Sequence, residues 1–122
     1  LCSQHTPIGS SSKAAPFPAT KPGMAGVDVL LSLVLQLVDD GKLDLLRALD
    51  AVTAAPARCL GIQAGQLETG RPASLCVLDP VGVKDLREDW LSAGNNSPWR
   101  HAQLKGSVKL TVCQGKVSWL SD

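Results

Sequence analysis

The residues of this chain that could carry acid–base or metal chemistry are few and widely spaced. His5 and His101 lie near opposite ends, and a histidine with no second ligand at a metal-binding spacing is more often a loop or core residue than a ligand. We therefore interpret His5 as a loop or core residue and His101 as a surface residue. Asp39 and Asp40 are adjacent, and neighbours on a helix point in different directions. They predict a solvated face, not a catalytic pair of carboxylates.

The four cysteines form no recognisable metal or redox motif. There is no Cys-x-x-Cys pair, and no histidine stands at a zinc-ligand spacing from any of them. They are Cys2, Cys59, Cys76 and Cys113. Because Cys76 and Cys113 lie within apolar strand patterns, we predict reduced and mostly buried thiols in a reducing compartment.

The charge balance offers no surface for a polyanion. Twelve basic and eleven acidic residues give a net charge of +1, which favours neither nucleic acid nor an anionic membrane as a partner. The longest apolar stretch, residues 27–38, is interrupted by Ser32 and Gln36 and is shorter than the roughly 20 residues that span a bilayer. Nothing at the N-terminus resembles a secretion signal, so the expected location is cytoplasmic.

The first half of the chain reads as a long loop followed by helices. Residues 1–26 are rich in Ser, Pro, Gly and Ala, and a loop of this length is usually functional or disordered. Apolar residues then recur at helical spacing over 27–38, and Gly41 is suited to ending that helix. A second amphipathic run covers 43–52. A third, short helix is predicted to begin at Thr53, whose hydroxyl would cap it, and to end at Gly61.

The second half changes to strand patterns. An apolar run at 74–78, ended by Asp79-Pro80, predicts a short buried strand. Alternation over 108–113, a Gln114-Gly115 turn and residues 116–120 predict a hairpin. For the three tryptophans, Trp90 and Trp99 in the connector and Trp119 on the last strand, we favour packing over a partner surface. Because one strand and one hairpin make an incomplete sheet, we expect strands from upstream in a longer chain, or from a second copy, to complete it.

Short motifs along nearly the whole chain occur in the order found at the end of dihydroorotases and related cyclic amidohydrolases. The segment Ser3-Gln4-His5-Thr6-Pro7-Ile8 resembles the Asp-His-Ala-Pro-His motif that ends the family's last barrel strand. Residues 22–27 resemble the Pro-Gly-(Ile/Val)-x-Gly-(Leu/Phe) entry to its last barrel helix. The other matches are Lys13 to Phe17, Ala55-Pro56-Ala57-Arg58, Leu60-Gly61, Gly65, Gly70, Ala73, Asp79-Pro80 and Gly106-Ser107-Val108 to Gly115-Lys116-Val117. The fixed order of these motifs carries the resemblance.

The resemblance implies an α/β fold: the tail of a (β/α)₈ amidohydrolase barrel, with its last helices, followed by part of a small β-sandwich. Residues 1–61 would hold the end of the last barrel strand, the active-site loop and the terminal helices. Residues 62–122 would form the C-terminal part of the sandwich. A complete barrel takes about 250 residues, so the other strands and the family's metal-binding His-x-His segment are expected outside this chain.

The resemblance also implies which positions belong to the family's active site. Gln4 stands in place of the Asp that contacts the metal centre and shuttles the proton, and an amide cannot take up that proton near neutral pH. Ile8 replaces the His that binds the substrate carboxylate. Pro22-Gly23 would present backbone N–H groups to an anion, or would serve only as a helix-entry turn. No metal ligand is assigned within this chain.

Two functions are compatible with this resemblance. In the first, the chain belongs to a non-catalytic dihydroorotase-like protein that is a structural partner of aspartate carbamoyltransferase in pyrimidine biosynthesis. In the second, it is part of an active zinc-dependent dihydroorotase that hydrolyses the cyclic amide of dihydroorotate, using zinc and residues from the rest of the barrel. A self-standing interaction domain is disfavoured, because exposed sheet edges invite aggregation.

Overall fold

The computed structural model describes residues 1–121 of the 122-residue chain. The predicted N-terminal loop contains only two 3₁₀ turns, Ser10–Lys13 and Phe17–Ala19, and an isolated bridge between His5 and Met24. That bridge is parallel, so the start of the loop runs alongside its own end. The loop therefore closes on itself before the first helix begins.

Helix α1 (Leu30–Asp39) follows a 3₁₀ turn at Val27–Val29, which confirms the first predicted helix. Val34 and Leu35 lie on its buried face. Gly41 follows with a φ of 68°, the left-handed conformation that glycine adopts at little cost after a helix. The predicted end of this helix is therefore confirmed.

Helices α2 (Leu45–Asp50) and α3 (Ala54–Leu60) are both short. The carboxylate of Asp44 caps α2 by accepting the N–H of Arg47 at 2.9 Å. Such a cap satisfies one of the backbone donors that have no partner inside the first turn. The second predicted helix is therefore present, although it is shorter than the amphipathic run.

The prediction that Thr53 caps α3 is wrong. Its hydroxyl donates to the carbonyl oxygen of Leu49 at 2.7 Å, and no side chain caps α3. The reason is local competition, because a threonine hydroxyl one turn after a helix carbonyl can bond backwards to it as readily as forwards. The predicted end of α3 is confirmed at Gly61, where φ is 66°.

Strands β1 (Leu75–Asp85), β2 (Gln103–Cys113) and β3 (Lys116–Leu120) form one antiparallel sheet in the order β1-β2-β3. The β2–β3 hairpin confirms the prediction. Its turn residues Gln114 and Gly115 have φ values of 49° and 80°, as a tight hairpin turn of the I′ type requires at both central positions.

Strand β1 corrects the prediction of a strand that ends at Asp79-Pro80. It continues through Pro80, and the pairing register with β2 shifts between Asp79 and Val83. An irregularity of this kind leaves residues outside the ladder, so the missing N–H of proline costs no strand hydrogen bond. The carboxylate of Asp79 accepts the N–H of Val81 at 3.1 Å and stabilises the bulge.

The prediction of mostly buried thiols is also wrong, because all four cysteines are free and exposed. Cys76 and Cys113 lie on strands, as predicted, but an apolar pattern gives burial only where another layer covers the strand. Within the described part of the chain, α1 packs against β2, and many apolar side chains of the sheet remain exposed. These are Val77, Val81, Val83, Val117, Trp119 and Leu120.

The buried apolar residues come from all three helices, the end of the N-terminal loop, the 3₁₀ turn before α1 and the connector before β2. Gly106 of β2 allows the close approach of α1, since a Cβ there would lie 2.6 Å from Cδ1 of Leu35. In the connector, Leu86 is fully buried, and its N–H donates to the carbonyl oxygen of Ala102 at 3.1 Å. Over residues 1–121, no helix is both long enough and apolar enough to cross a bilayer.

Candidate functional site

The N-terminal loop forms an open cavity of about 610 Å³ between residues 2–6 and residues 22–24. Three of the four predicted site residues, Gln4, Pro22 and Gly23, line this cavity. The fourth, Ile8, is not among the lining residues. The cavity is completed by Cys2, Ser3, Thr6 and Met24.

The two walls of the cavity touch through backbone groups. The N–H of Thr6 donates to the carbonyl oxygen of Met24 at 2.9 Å. Glycines permit this close approach: a Cβ on Gly23 would lie 2.8 Å from the carbonyl oxygen of Thr6, and one on Gly26 would lie 2.6 Å from that of Ser3. The Pro-Gly-x-x-Gly spacing therefore has a steric role, in addition to any role in binding an anion.

Gln4 occupies the cavity wall in an unusual backbone conformation. Its φ is 46°, in the left-handed region that non-glycine residues seldom adopt. Its backbone N–H donates to the sulfur of Cys2 at 3.4 Å, and its carbonyl oxygen accepts the hydroxyl of Thr6 at 3.3 Å. The side chain is exposed, and its amide can donate or accept hydrogen bonds but cannot accept a proton near neutral pH.

His5 caps the start of the helical segment. Its Nδ1 accepts the N–H groups of Gly26 and Val27, each at 3.2 Å. The nitrogen that accepts these bonds carries no proton, so the neutral ring carries its proton on Nε2. The histidine is thus a backbone capping residue that joins the Gln4 segment to the start of the 3₁₀ turn.

Ile8 lies outside the cavity lining and bonds to Asn96, a residue whose sequence context predicts only a turn. The N–H of Ile8 donates to Oδ1 of Asn96 at 2.9 Å. The Nδ2 of Asn96 donates to the carbonyl oxygen of Gly23 at 2.7 Å. The backbone carbonyl oxygen of Asn96 accepts the N–H of Ala25 at 3.0 Å. The only signal in the sequence is the Asn95-Asn96-Ser97-Pro98 turn, whose long-range partners no local pattern identifies.

A second link joins the helix start to the same connector. The carboxylate of Asp28 accepts the N–H of Leu91 at 3.0 Å and the hydroxyl of Ser92. Partial burial on its own would raise the pKa of Asp28, but the hydrogen bonds from Ser92 and Leu91 and the charge of Lys84 outweigh it and hold the pKa below its usual value. The carboxylate is therefore charged at neutral pH and fixes residues 91–92 against the helix.

The tryptophans divide between packing and exposure. Trp90 is half-buried, its indole N–H donates to the carbonyl oxygen of Gly94 at 2.9 Å, and the guanidinium of Arg100 lies 5.5 Å from its ring. This is the packing role that we predicted. Trp119 is 41% exposed on β3, where no packing role is evident within residues 1–121.

Residues 1–121 do not by themselves make a metal centre. They contain no cluster of three or more His, Cys, Asp or Glu side chains that could hold an ion. His5 already uses Nδ1 for backbone capping. These residues do not fit a zinc site unaided, so any zinc would need ligands from elsewhere.

Comparison with known proteins identifies the family. The sequence model described as the Amidohydrolase family matches residues 22–118. A "Dihydroorotase-like protein" of Pseudomonas aeruginosa is 40% identical over 118 residues, covering 97% of this chain and 28% of that protein. A "Dihydroorotase" of Syntrophus aciditrophicus is 34% identical over 124 residues, covering all of this chain and 29% of that protein. The chain thus spans less than a third of the length of these curated relatives.

A solved structure of a D-hydantoinase supports the fold. It superimposes with a TM-score of 0.79 at 24% sequence identity, over 93% of this chain and 25% of the hydantoinase. At this identity the likeness speaks for the fold alone, as a piece of an amidohydrolase of the TIM-barrel type. Together, these matches confirm the family predicted from the ordered motifs: the chain belongs to the amidohydrolase family, as a fragment related to dihydroorotases and dihydroorotase-like proteins.

Proposed function

We propose that this chain is part of a longer dihydroorotase-like protein of pyrimidine biosynthesis that does not hydrolyse dihydroorotate and acts as a structural partner of aspartate carbamoyltransferase. The observation that carries the proposal is the position of Gln4, which lines the same cavity as Pro22 and Gly23. If this cavity corresponds to the family's active site, an amide stands where the resemblance expects a carboxylate that moves a proton. Loss of a general base typically lowers a rate by a factor of about 100 to 10,000.

Ile8 supports the same proposal. Its apolar side chain cannot donate to a substrate carboxylate, and its backbone is tied to Asn96 at 2.9 Å, outside the cavity lining. A hydrogen bond to a charged group contributes about 1.5 to 3 kcal/mol, so its loss would weaken substrate binding in addition to the loss of the base. Two relatives with 40% and 39% identity, both from Pseudomonas species, carry the name "Dihydroorotase-like protein".

The catalytic part of the proposal is tested on the full-length protein. We would assay dihydroorotate hydrolysis by the unmodified protein, by Gln4→Asp with Ile8→His, and by Gln4→Asn as a control that keeps an amide. We expect no turnover from the unmodified protein or the control, and any gain of activity only in the double variant. Turnover by the unmodified protein would overturn the proposal.

The partnership is tested separately, by size-exclusion chromatography of the full-length protein mixed with aspartate carbamoyltransferase from the same organism. We expect the two to elute together at a mass larger than either alone. Separate elution at micromolar concentrations of both proteins would contradict the structural role, whatever the hydrolysis assay shows.

The competing function is an active zinc-dependent dihydroorotase, and the relatives named "Dihydroorotase" at 32–34% identity favour it. In that case the rest of the protein would supply the metal ligands and a substitute for the missing carboxylate. Metal analysis separates the two functions: one or more equivalents of zinc per full-length chain, with hydrolysis lost on chelation, would establish the enzyme.

We also propose that the remainder of the longer protein covers the exposed side of the sheet and completes a barrel and a small sandwich. The exposed apolar side chains of β1 and β3 and the short span of the relatives that the chain covers support this. Alkylation of the native full-length protein tests it. Cys76 and Cys113, both exposed in the isolated chain, should react far more slowly than in urea, and equal rates would contradict coverage by the same chain or by a second copy.

A further inference from the structure

We propose that Asn96 is a positioning residue for the Gln4 cavity, fixing the separation of its two walls from outside. Asn96 does not line the cavity, but its side chain bonds to the backbone of Ile8 on one side and of Gly23 on the other. The inference goes beyond the proposed function, because a cavity that binds a ligand without hydrolysing it needs the same spacing of its walls as a catalytic one.

The amide of Asn96 fits its partners in one orientation only. Oδ1 accepts from the N–H of Ile8 at 2.9 Å, while Nδ2 donates to the carbonyl oxygen of Gly23 at 2.7 Å. A flipped amide would put its NH₂ against an N–H and its oxygen against a carbonyl, losing both bonds. Aspartate could supply only the acceptor, and an aliphatic side chain could supply neither. The position therefore demands a short side chain with both a donor and an acceptor.

The segment that carries Asn96 is itself held in place. A Cβ on Gly94 would lie 2.7 Å from the nitrogen of Ile8 and 2.7 Å from Cβ of Pro7, so the connector and the N-terminal loop are in direct backbone contact. The carbonyl oxygen of Gly94 accepts the indole N–H of Trp90 at 2.9 Å. A residue on an anchored segment can hold two other segments in register, whereas one on a free loop would move with them.

Both side-chain bonds of Asn96 lead to the cavity. On one side, Ile8 continues through Pro7 to Thr6, which lines the cavity. On the other, Gly23 lines the cavity directly, in a left-handed conformation with φ of 125°. The bond from the N–H of Thr6 to the carbonyl oxygen of Met24, at 2.9 Å, joins the two sides and uses no atom of Asn96. The backbone carbonyl of Asn96 also accepts the N–H of Ala25 at 3.0 Å, a bond that substitutions of the Asn96 side chain leave in place. Exchange of the Thr6 amide hydrogen therefore reports on whether Asn96 controls the cavity walls.

The experiment is hydrogen exchange at single-amide resolution on the full-length protein. In Asn96→Ala we expect exchange at Ile8 and Thr6 to accelerate about tenfold. The N–H of Ile8 loses its acceptor, and the bond from Thr6 to Met24 loses the side chain that holds the two walls together. Amides of the β2–β3 hairpin should be unchanged, which shows that the fold is intact. The matched control is Asn95→Ala at the neighbouring exposed residue, which should leave all these amides within about twofold of the wild-type rates.

The conservative variant Asn96→Asp distinguishes positioning from general stabilisation. It keeps the acceptor for Ile8 but cannot donate to Gly23, so we expect Ile8 to stay slow while Thr6 becomes fast. It also carries the test if the alanine variant is too unstable to purify. The proposal is overturned if Thr6 exchanges at the wild-type rate in Asn96→Asp, or if exchange rises equally throughout the hairpin. Because no activity is measured, failure of this test is distinct from failure of the proposed function.

Discussion

Gly94 packs so closely against the N-terminal loop that a single methyl group would separate them. A Cβ at this position would lie 2.7 Å from the nitrogen of Ile8, 2.7 Å from Cβ of Pro7 and 2.8 Å from the carbonyl carbon of Pro7. Two of these three atoms are backbone, so no side-chain rotation relieves the contact. Gly94 is not among the glycines with positive φ, and the penalty for Gly94→Ala is therefore steric and not conformational.

Overpacking of this kind typically costs about 1 to 3 kcal/mol, which corresponds to a change of roughly 5- to 150-fold in the unfolding equilibrium constant. The assay is equilibrium urea unfolding of the full-length protein, comparing midpoints at equal slope. The matched control is Gly9→Ala, in the N-terminal loop that Gly94 contacts. There φ is −72° and the nearest atom to a Cβ is Oγ of Ser11, at 3.8 Å.

We expect Gly9→Ala to be neutral or to stabilise by about 0.4 to 1 kcal/mol, because alanine restricts the unfolded chain without straining the folded one. Of the two variants, only Gly94→Ala should thus lower the urea midpoint. If Gly94→Ala and Gly9→Ala unfolded at the same urea concentration, the close contact between the connector and the N-terminal loop would be refuted. The basis for treating Asn96 as anchored would then be lost as well.

Substitutions at three other residues should change the stability of the fold measurably. Leu86→Ala should lower the free energy of unfolding by about 2 to 5 kcal/mol in the same urea assay, because the side chain is fully buried. Asp44→Ala should cost about 0.5 to 2 kcal/mol through loss of the α2 cap, whereas Asp40→Ala, at an exposed position after α1, should change little. The folded-state pKa of Asp28 is lowered, so its stabilising contribution is complete above its unfolded pKa of about 3.9 and is lost as the pH falls towards the folded pKa. The melting temperature of the wild type should therefore fall more steeply below about pH 4 than that of Asp28→Asn. The same dependence of melting temperature on pH in both proteins would contradict the Ser92 and Leu91 bonds.

Elements stabilised by neighbours in sequence could be predicted without a structure. The helix α1 and its end at Gly41, the end of α3 at Gly61 and the hairpin turn at Gln114-Gly115 all follow from periodicity and from the left-handed conformation that glycine tolerates. The ordered motifs also identified the family. Gln4, Pro22 and Gly23, which the motifs marked, line one cavity.

Predictions failed where the outcome depended on a distant partner. Pro80 was expected to end β1, but a shift in pairing with β2 accommodates it. Cys76 and Cys113 were expected to be buried, but an apolar strand is covered only if another layer is present. Thr53 failed for a local reason, because its hydroxyl had two backbone partners within reach and bonded to the carbonyl of Leu49, four residues earlier.

The sequence by itself determined the helices, the hairpin, the family and the amide at position 4, because these depend on residue identity and on contacts a few positions apart. The tertiary structure alone decided what surrounds that amide. Gly23 lines the cavity and Ile8 does not, and Asn96 bonds to the backbone of both. Hydrogen bonds between residues so far apart in the chain leave no periodic trace in the sequence, since the partners are brought together only when the N-terminal loop and the connector meet.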